Sequence, residues 1–395
     1  MFFSFDLKSS LLLVFFLHAL VFSGLLLAQA SKSEHRPSLW LSAFTLLSGL
    51  YIAPFMLGYA GWYSQQPYRD LLFYIPFQQL FLLPPILYFY VKTLLNPSFS
   101  LSQKDCLHFL PGLGYFIYSL MVFITDKLIL HTDHFYADGR DKDFEPWYQA
   151  AGFVSLIIYS LFSLRFYFRY KAISYQTVSF ADAVLFDWVK RFLIALLLLL
   201  LLRGLFFLVN PEWDQFGRKF WYYLCFSILF YYISISGYGN ALQSILTVKT
   251  ALVFAHDVDL APYQESEQTK TQSPGDLDPV ELERWRSELE QVMSLDKAYQ
   301  NPTLTLLDVA QYMNLSPKRV SQIINQGFGM NFNDFVNLYR TKAVIAQIQS
   351  GNHTVYTLLG IAYECGFNSK STFNRAFKKH TGFAPREYLA QNRPE

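Results

Sequence analysis

A chain of 395 residues has room for two or three domains, and its hydrophobic content of 52% and aromatic content of 18% exceed those of ordinary soluble proteins. The excess lies in residues 1–250. The net charge is only +2, but residues 302–395 hold ten Lys and Arg against five Asp and Glu, a balance that favours a polyanionic partner. Three cysteines lie far apart, so their spacing indicates neither a metal site nor a disulfide framework.

Seven apolar runs in the first 250 residues are long enough to cross a bilayer, which takes ~20 helical residues. We place the predicted spans near residues 11–30, 38–60, 71–95, 107–125, 147–168, 188–209 and 220–242. The clearest run is 192–209, which contains seven consecutive leucines. The third is the least regular, because Pro76, Pro84 and Pro85 interrupt its helix. In a bundle, neighbouring helices can satisfy the carbonyls that the prolines leave free.

The first apolar run also has the form of a cleaved signal peptide. Lys8 precedes it, and the small residues Ala28 and Ala30 follow it. Its apolar core is long for a signal, so we favour an uncleaved span.

Polar residues in this half offer few candidate sites. A loop near residue 131 could hold a divalent cation, although short clusters of this kind are usually solvated. Its candidate ligands are His131, Asp133, His134 and Asp138. Arg203 lies inside the sixth predicted span. It is either a counter-charge for a ligand or a partner carboxylate, or its side chain extends to the outer membrane interface. Interhelical hydrogen bonds are expected for His18, Gln78 and Gln79.

Residues 251–279 differ in composition from the apolar stretch before them, and we predict that they form a linker. They are acidic, poorly periodic and interrupted by Pro and Gly. Apolar residues then recur at spacings of three and four, which predicts an amphipathic helix. These residues are Leu282, Trp285, Leu289 and Val292. The sequence therefore divides into residues 1–250, the linker 251–279 and a C-terminal domain 280–395.

A helix, a turn and a second helix are predicted between residues 303 and 328. Asn314 suits the turn because asparagine tolerates a left-handed backbone, and Ser316 and Pro317 are typical of a helix start. The inward positions are predicted to be Leu306, Val309, Ala310, Val320, Ile323 and Ile324. The predicted outer face of the second helix carries Lys318, Arg319, Ser321, Gln322 and Asn325. A periodic stretch over 332–348 predicts a helix that connects this unit to the next.

The same pattern returns near the C-terminus. Gly366 suits the left-handed end of one helix, and Ser369 suits the N-cap of the next. Phe373 and Phe377, four residues apart, face inward. The predicted outer face carries Lys370, Ser371, Thr372, Asn374, Arg375 and Lys378. A polar and basic face suits the major groove, where Arg and Lys bind guanine and Asn binds adenine.

Residues 280–391 resemble the DNA-binding domain of AraC/XylS-type transcription regulators. The specific part is the second unit, and the residues that carry it are Ala362, Gly366, Phe367, Ser369, Phe373, Arg375, Phe377, Lys378, Lys379, Gly382 and Pro385. The resemblance implies seven helices, two helix-turn-helix units and sequence-specific DNA binding. Two residues depart from the family pattern: Ala384 stands where Ser or Thr usually caps the last helix, and Leu389 where a basic residue often follows the tyrosine.

The sequence thus predicts an all-α protein: a polytopic bundle of about seven spans followed by a domain with two helix-turn-helix units. A cytoplasmic DNA-binding domain after seven uncleaved spans places the amino terminus outside a bacterial inner membrane, and Lys and Arg are slightly more frequent in the loops placed inside. The expected partners are promoter DNA and the bilayer, with a small-molecule or envelope signal and a homodimer left open.

No motif for an enzyme, a cofactor or a metal is present in the sequence, so none of these is predicted. The predicted function is a membrane-bound transcription regulator that couples a membrane signal to promoter binding. The alternative is a membrane receptor or transporter whose helical tail binds a protein.

Overall fold

The computed structural model describes residues 5–33, 35–96, 98–137, 139–209, 219–244 and 278–391. In these residues the regular elements are all helices. They form two compact units, one of residues 5–167 and 186–244, the other of residues 168–185 and 278–391. The predicted linker 251–279 lies outside the described residues except for its last two positions, and the predicted domain boundaries stay predictions.

Ten α-helices lie in the described residues before 245, and most of them are strongly apolar. They are α1 (Leu7–Ser33), α2 (Arg36–Tyr59), α3 (Tyr68–Phe73), α4 (Leu83–Leu95), α5 (Gln103–Cys106), α6 (Leu110–Phe123), α7 (Pro146–Thr177), α8 (Ala181–Val184), α9 (Asp187–Val209) and α10 (Phe220–Ser244). A π-helical stretch, Ile124–Leu130, continues α6.

Five helical stretches in the described residues are long and apolar enough to cross a membrane. They are Leu7–Lys32, Arg36–Tyr59, Gln103–Leu130, Pro146–Thr177 and Phe220–Ala241. Their mean hydropathy lies between 1.3 and 2.6, and leucines such as Leu17 are half exposed, as contact with lipid requires. These helices indicate a multi-pass membrane protein.

The other two predicted spans differ from simple membrane helices. The stretch 71–95 is divided, because residues 74–82 are not helical between α3 and α4, and α4 has only 13 residues. Pro84 and Pro85 lie in the first turn of α4, where a proline costs no hydrogen bond. In α9, Lys190 and Arg191 lie near the start of the helix, and Arg203 lies within the apolar stretch that follows them. The structure therefore supports five spans, and the count of seven is taken up below as a proposal.

A buried polar network joins several elements of the first unit around Asp143. The Asp143 carboxylate accepts hydrogen bonds from the Tyr115 hydroxyl at 2.6 Å and from the Gln78 main-chain N–H at 2.9 Å. Burial raises the pKa of Asp143 to about 6, although both hydrogen bonds act in the opposite direction. His18 of α1 bonds Ser234 of α10, which confirms its predicted interhelical bond. Gln78 and Gln79 lie in the non-helical stretch 74–82, so their bonds to the carbonyls of Tyr51 and Pro76 do not join two helices.

Two other polar candidates of this half, Arg203 and Asp133, bind protein groups. Arg203 donates to the Tyr51 hydroxyl at 3.2 Å and lies 4.3 Å from the centre of the Tyr222 ring, so it is held by aromatic residues. Asp133 pairs with Lys127 at 2.5 Å. In the described part of the chain no group of three His, Cys, Asp or Glu residues could hold a metal, and Asp138 lies outside that part.

The C-terminal stretch of the second unit, residues 278–391, contains seven α-helices, the number that the resemblance implied. They are α11 (Pro279–Ser294), α12 (Leu306–Tyr312), α13 (Pro317–Phe328), α14 (Phe332–Gln349), α15 (Leu358–Glu364), α16 (Lys370–Thr381) and α17 (Pro385–Gln391). They form two small cores, one around α12 and α13 and one around α15 and α16. Helix α14 contributes Phe335 and Val336 to the first core and Val344 and Ile348 to the second. The predicted connecting helix is therefore part of both cores.

Turn and cap residues of the two units lie where the sequence predicted them. Asn314 has a φ of +51° and Gly366 a φ of +91°, so both turns use the left-handed region. The Ser316 hydroxyl accepts from the Arg319 N–H, and the Ser369 hydroxyl accepts from the Thr372 N–H. These side chains satisfy free N–H groups at the starts of α13 and α16.

Helix α17 has half of a capping box. The Glu387 carboxylate accepts from the Ala384 N–H at 2.8 Å, but Ala384 has no hydroxyl to return the bond to the first turn. We expect Ala384→Ser to complete the box and stabilise α17 by about 1 kcal/mol. Slower amide hydrogen exchange in residues 385–391 of the full chain would show it. Ala390→Ser, on the same short helix but away from its cap, is the control, and equal protection in both variants would contradict the prediction.

Candidate nucleic-acid interface

The outer face of α13 is polar and mostly accessible. Lys318 and Asn325 are exposed, and Ser321 and Gln322 are partly exposed. Arg319 is different, because its Nη2 bonds the Glu281 carboxylate of α11 at 2.6 Å. This bond lowers the pKa of Glu281 and leaves Arg319 fewer donors for a phosphate or a base.

The outer face of α16 is more basic. Its exposed residues are Lys370, Ser371, Asn374, Arg375 and Lys378. They lie opposite Phe373, Ala376 and Phe377, which are buried in the second core. The helix therefore presents one row of hydrogen-bond donors to its surroundings, as a helix that enters a major groove would.

Thr372 does not belong to this face. The prediction that it points outward was wrong, since Thr372 is fully buried. It lies next to Phe373 and one turn before Ala376, within the inward arc of the helix. Its hydroxyl accepts from the Ser369 hydroxyl at 2.8 Å, so the cap at the start of α16 satisfies this buried group.

Arg375 contacts a part of the chain about 190 residues earlier. Its guanidinium forms an ion pair with Asp182 and bonds the Tyr175 hydroxyl at 2.5 Å, all within the second unit. Partial burial alone would lower the pKa of Arg375, but the Asp182 carboxylate and the Tyr175 hydroxyl raise it. Arg375 is thus exposed along part of its length and fully charged.

Lys379, the next basic residue after Lys378, points elsewhere. Its ammonium bonds the Asp334 carboxylate at 2.6 Å, which ties α16 to the first turn of α14. The two adjacent lysines therefore have different surroundings, since Lys378 is exposed on the outer face.

Arg340 is the buried residue that sequence reasoning missed. Its five N–H groups donate to five acceptors: the carbonyls of Ser179, Tyr299 and Asn301, the Ser179 hydroxyl and the Asn337 side-chain oxygen. Burial lowers the pKa of Arg340 to about 9, which leaves it charged at neutral pH. A lone arginine in the middle of an amphipathic helix gives no sign of this role in the sequence.

Comparison with known proteins supports the interpretation of this domain. A helix-turn-helix domain family matches residues 309–391, a stretch that contains α13 and α16. Residues 309–391 form an AraC-type helix-turn-helix domain. Across 88 residues the chain is 30% identical to an uncharacterized HTH-type transcriptional regulator, YpdC, of Escherichia coli strain K12. No solved structure matches the chain.

The AraC-type domain is a small part of each protein compared. The alignment covers 22% of this chain and 30% of the relative, so less than a third of the relative's length is shared. The described residues 5–244 lie outside the matched stretch. A match to a domain of transcription regulators agrees with the prediction that this domain is not an enzyme.

Proposed function

We propose that the chain is a membrane-bound transcription regulator whose AraC-type domain binds promoter DNA in a sequence-specific manner. The observation that carries the proposal is that α13 and α16, which each have an exposed polar face, pack against the same helix, α14. The part of the chain that the structure describes also contains five helical stretches apolar enough to cross a membrane. DNA must then approach the bilayer.

The topology that we propose has seven spans and a cytoplasmic C-terminus. It adds α9 and the divided stretch 71–95 to the five long apolar helices. Arg203 bonds protein groups, which makes α9 acceptable in a bilayer. An odd number of spans places the two ends of the chain on opposite sides, and DNA binding requires the C-terminal end in the cytoplasm of a bacterial cell. A membrane or envelope signal would then reach the promoter through this bundle.

DNA binding is tested by its response to salt and by two substitutions on α16. We expect Lys378→Ala to weaken binding to selected and shuffled duplexes equally and to reduce the salt slope by about 1, because a phosphate contact releases a counterion.

Arg375→Ala is expected to cost about 1–3 kcal/mol of binding free energy on the selected duplex and little on the shuffled one, because a base contact is lost. Fluorescence anisotropy of the full-length protein in lipid nanodiscs measures both.

The rival function, a tail that binds a protein, predicts a different result. The full chain would then bind no duplex even at low salt, and neither substitution would matter. Lys379→Ala is the matched control, since Lys379 carries the same charge as its neighbour but pairs with Asp334. A loss for Lys379→Ala as large as that for Lys378→Ala would contradict the assignment of the face.

A further inference from the structure

The 168–185 segment packs against the AraC-type domain and the residues before it in the second unit. It consists of the end of α7, residues 178–180 and helix α8. The Ser179 N–H donates to the Leu304 carbonyl at 3.1 Å, and Val178 pairs with Thr305 in a single antiparallel bridge. The Asn333 side chain of α14 donates to the Val178 carbonyl at 3.3 Å. A loop from the membrane half is therefore held against α14 and the start of α12.

The first attachment of this segment is Arg340. Three of its five hydrogen bonds stay within the C-terminal domain, and the other two reach the carbonyl and hydroxyl of Ser179. Val178, Ser179 and Arg340 are fully buried. Because this attachment is buried from solvent and every N–H of Arg340 has an acceptor, it is the stronger of the two.

The second attachment is on the outer face of α16. One oxygen of Asp182 accepts from the Arg375 guanidinium and, at 2.7 Å, from the Tyr175 hydroxyl. The guanidinium also lies 5.4 Å from the centre of the Tyr175 ring. The carboxylate and the hydroxyl both bond Nη1, one of the two nitrogens that an arginine needs to bind a guanine edge or a phosphate in a bidentate manner.

This second attachment is less complete than the first. The other oxygen of Asp182 is buried and has no hydrogen-bond partner among the described residues. The Arg375 side chain remains 45% exposed, so solvent weakens its ion pair. A phosphate or base could therefore compete for Arg375 while the attachment at Arg340 persists.

We propose that the 168–185 segment is an autoinhibitory element whose Asp182 and Tyr175 compete with DNA for Arg375. The inference rests on the proposed function, since it assumes that α16 binds DNA. The segment follows the apolar stretch of α7 and precedes α9 in the chain. A change in the position of either helix would act directly on the residues that cover Arg375, which gives the membrane half a route to the promoter.

The test measures duplex binding by the full-length chain in lipid nanodiscs at fixed low salt. Asp182→Asn removes the negative charge and keeps the size of the side chain. We expect it to tighten binding about three- to tenfold, because Arg375 no longer leaves an ion pair when it binds DNA. Tyr175→Phe removes one hydroxyl and should tighten binding by a smaller factor, which provides a second variant should Asp182→Asn fold poorly.

Removing any negative charge near DNA can tighten binding, so two controls separate this general electrostatic effect from competition for Arg375. Glu364→Gln makes the same charge change at an exposed position of α15, near α16 in sequence. Asp182→Asn is also measured in an Arg375→Ala chain, where competition for the guanidinium is absent. We expect no gain from Asp182→Asn in that chain, and at most a small gain from Glu364→Gln.

The outcomes distinguish this inference from the proposed function. Equal gains from Glu364→Gln and Asp182→Asn, or a gain that survives in the Arg375→Ala chain, would overturn autoinhibition and leave DNA binding in place. If the wild-type chain binds a duplex and neither Asp182→Asn nor Tyr175→Phe changes its affinity, autoinhibition is likewise overturned and DNA binding stands. If no variant binds a duplex at low salt, the proposed function fails and the competition fails with it. Faster hydrogen exchange in residues 181–185 on adding DNA, with no change at Ser179, would support release of Asp182 while the attachment at Arg340 persists.

Discussion

Arg340→Met is expected to lower the free energy of unfolding of the second unit by roughly 3–5 kcal/mol. The methionine fills much of the space but leaves four acceptors without a donor, and the carbonyls of Ser179 and Tyr299 among them cannot turn to water. The fifth acceptor, the Asn301 carbonyl, keeps its bond from the Leu304 N–H. Each buried acceptor without a partner costs about 1–3 kcal/mol, partly offset by local rearrangement. Hydrogen exchange of the α14 amides in the full chain measures the loss.

Two further variants make the Arg340 experiment specific. Lys342→Met makes the same charge change on the exposed side of α14 and should alter stability by no more than about 0.5 kcal/mol. Arg340→Lys keeps the charge but has donors on one nitrogen only, so it cannot bond acceptors around a planar fork. It should therefore also destabilise the unit. Wild-type exchange rates in Arg340→Met would refute the proposed anchoring.

Gly366→Ala is expected to destabilise the second helix-turn-helix unit by roughly 3 kcal/mol or more. A Cβ at this position would lie 2.3 Å from the Tyr299 carbonyl oxygen and 2.9 Å from two main-chain atoms of Gln300. Its φ of +91° is also unfavourable for any residue with a side chain. The backbone around residue 299 must move, or the turn between α15 and α16 must open.

A second glycine separates the two causes. Gly382 ends α16 with a φ of +82°, but a Cβ there would meet nothing within 4 Å. Gly382→Ala should therefore cost only the conformational part, about 1 kcal/mol. Hydrogen exchange in peptides from α15 and α16 compares the variants, and equal losses would show that the close approach to Tyr299 is unimportant.

The sequence predicted the C-terminal domain well because its signals are local. Asn314, Ser316, Gly366 and Ser369 each determine a turn or a cap through their own backbone or side chain. The periodic apolar residues fix the inward faces of the helices in the same way. Thr372 was misplaced because a polar residue type suggested the outer face, although its position lies within the inward arc and the Ser369 hydroxyl satisfies it there.

Non-local contacts account for what the sequence did not predict. Arg340 and Ser179 are separated by 161 positions, and no single stretch of sequence indicates that they meet. The contact of Arg375 with Asp182 likewise depends on where a loop of the membrane half packs. For the same reason the role of each α16 residue in DNA binding stays a prediction, since it depends on a duplex as well as on the fold.

Helix α14 has a consequence for the operator. Since α14 is built into both cores, α13 and α16 cannot change their separation without unpacking one core. One base pair inserted between the two half-sites rotates one of them by ~35° about the duplex axis, given 10–10.5 base pairs per turn. A flexible tether between the units could follow that rotation, but α14 cannot. Operators of this protein should therefore keep an invariant spacing, and a one-base-pair insertion should leave only one half-site bound.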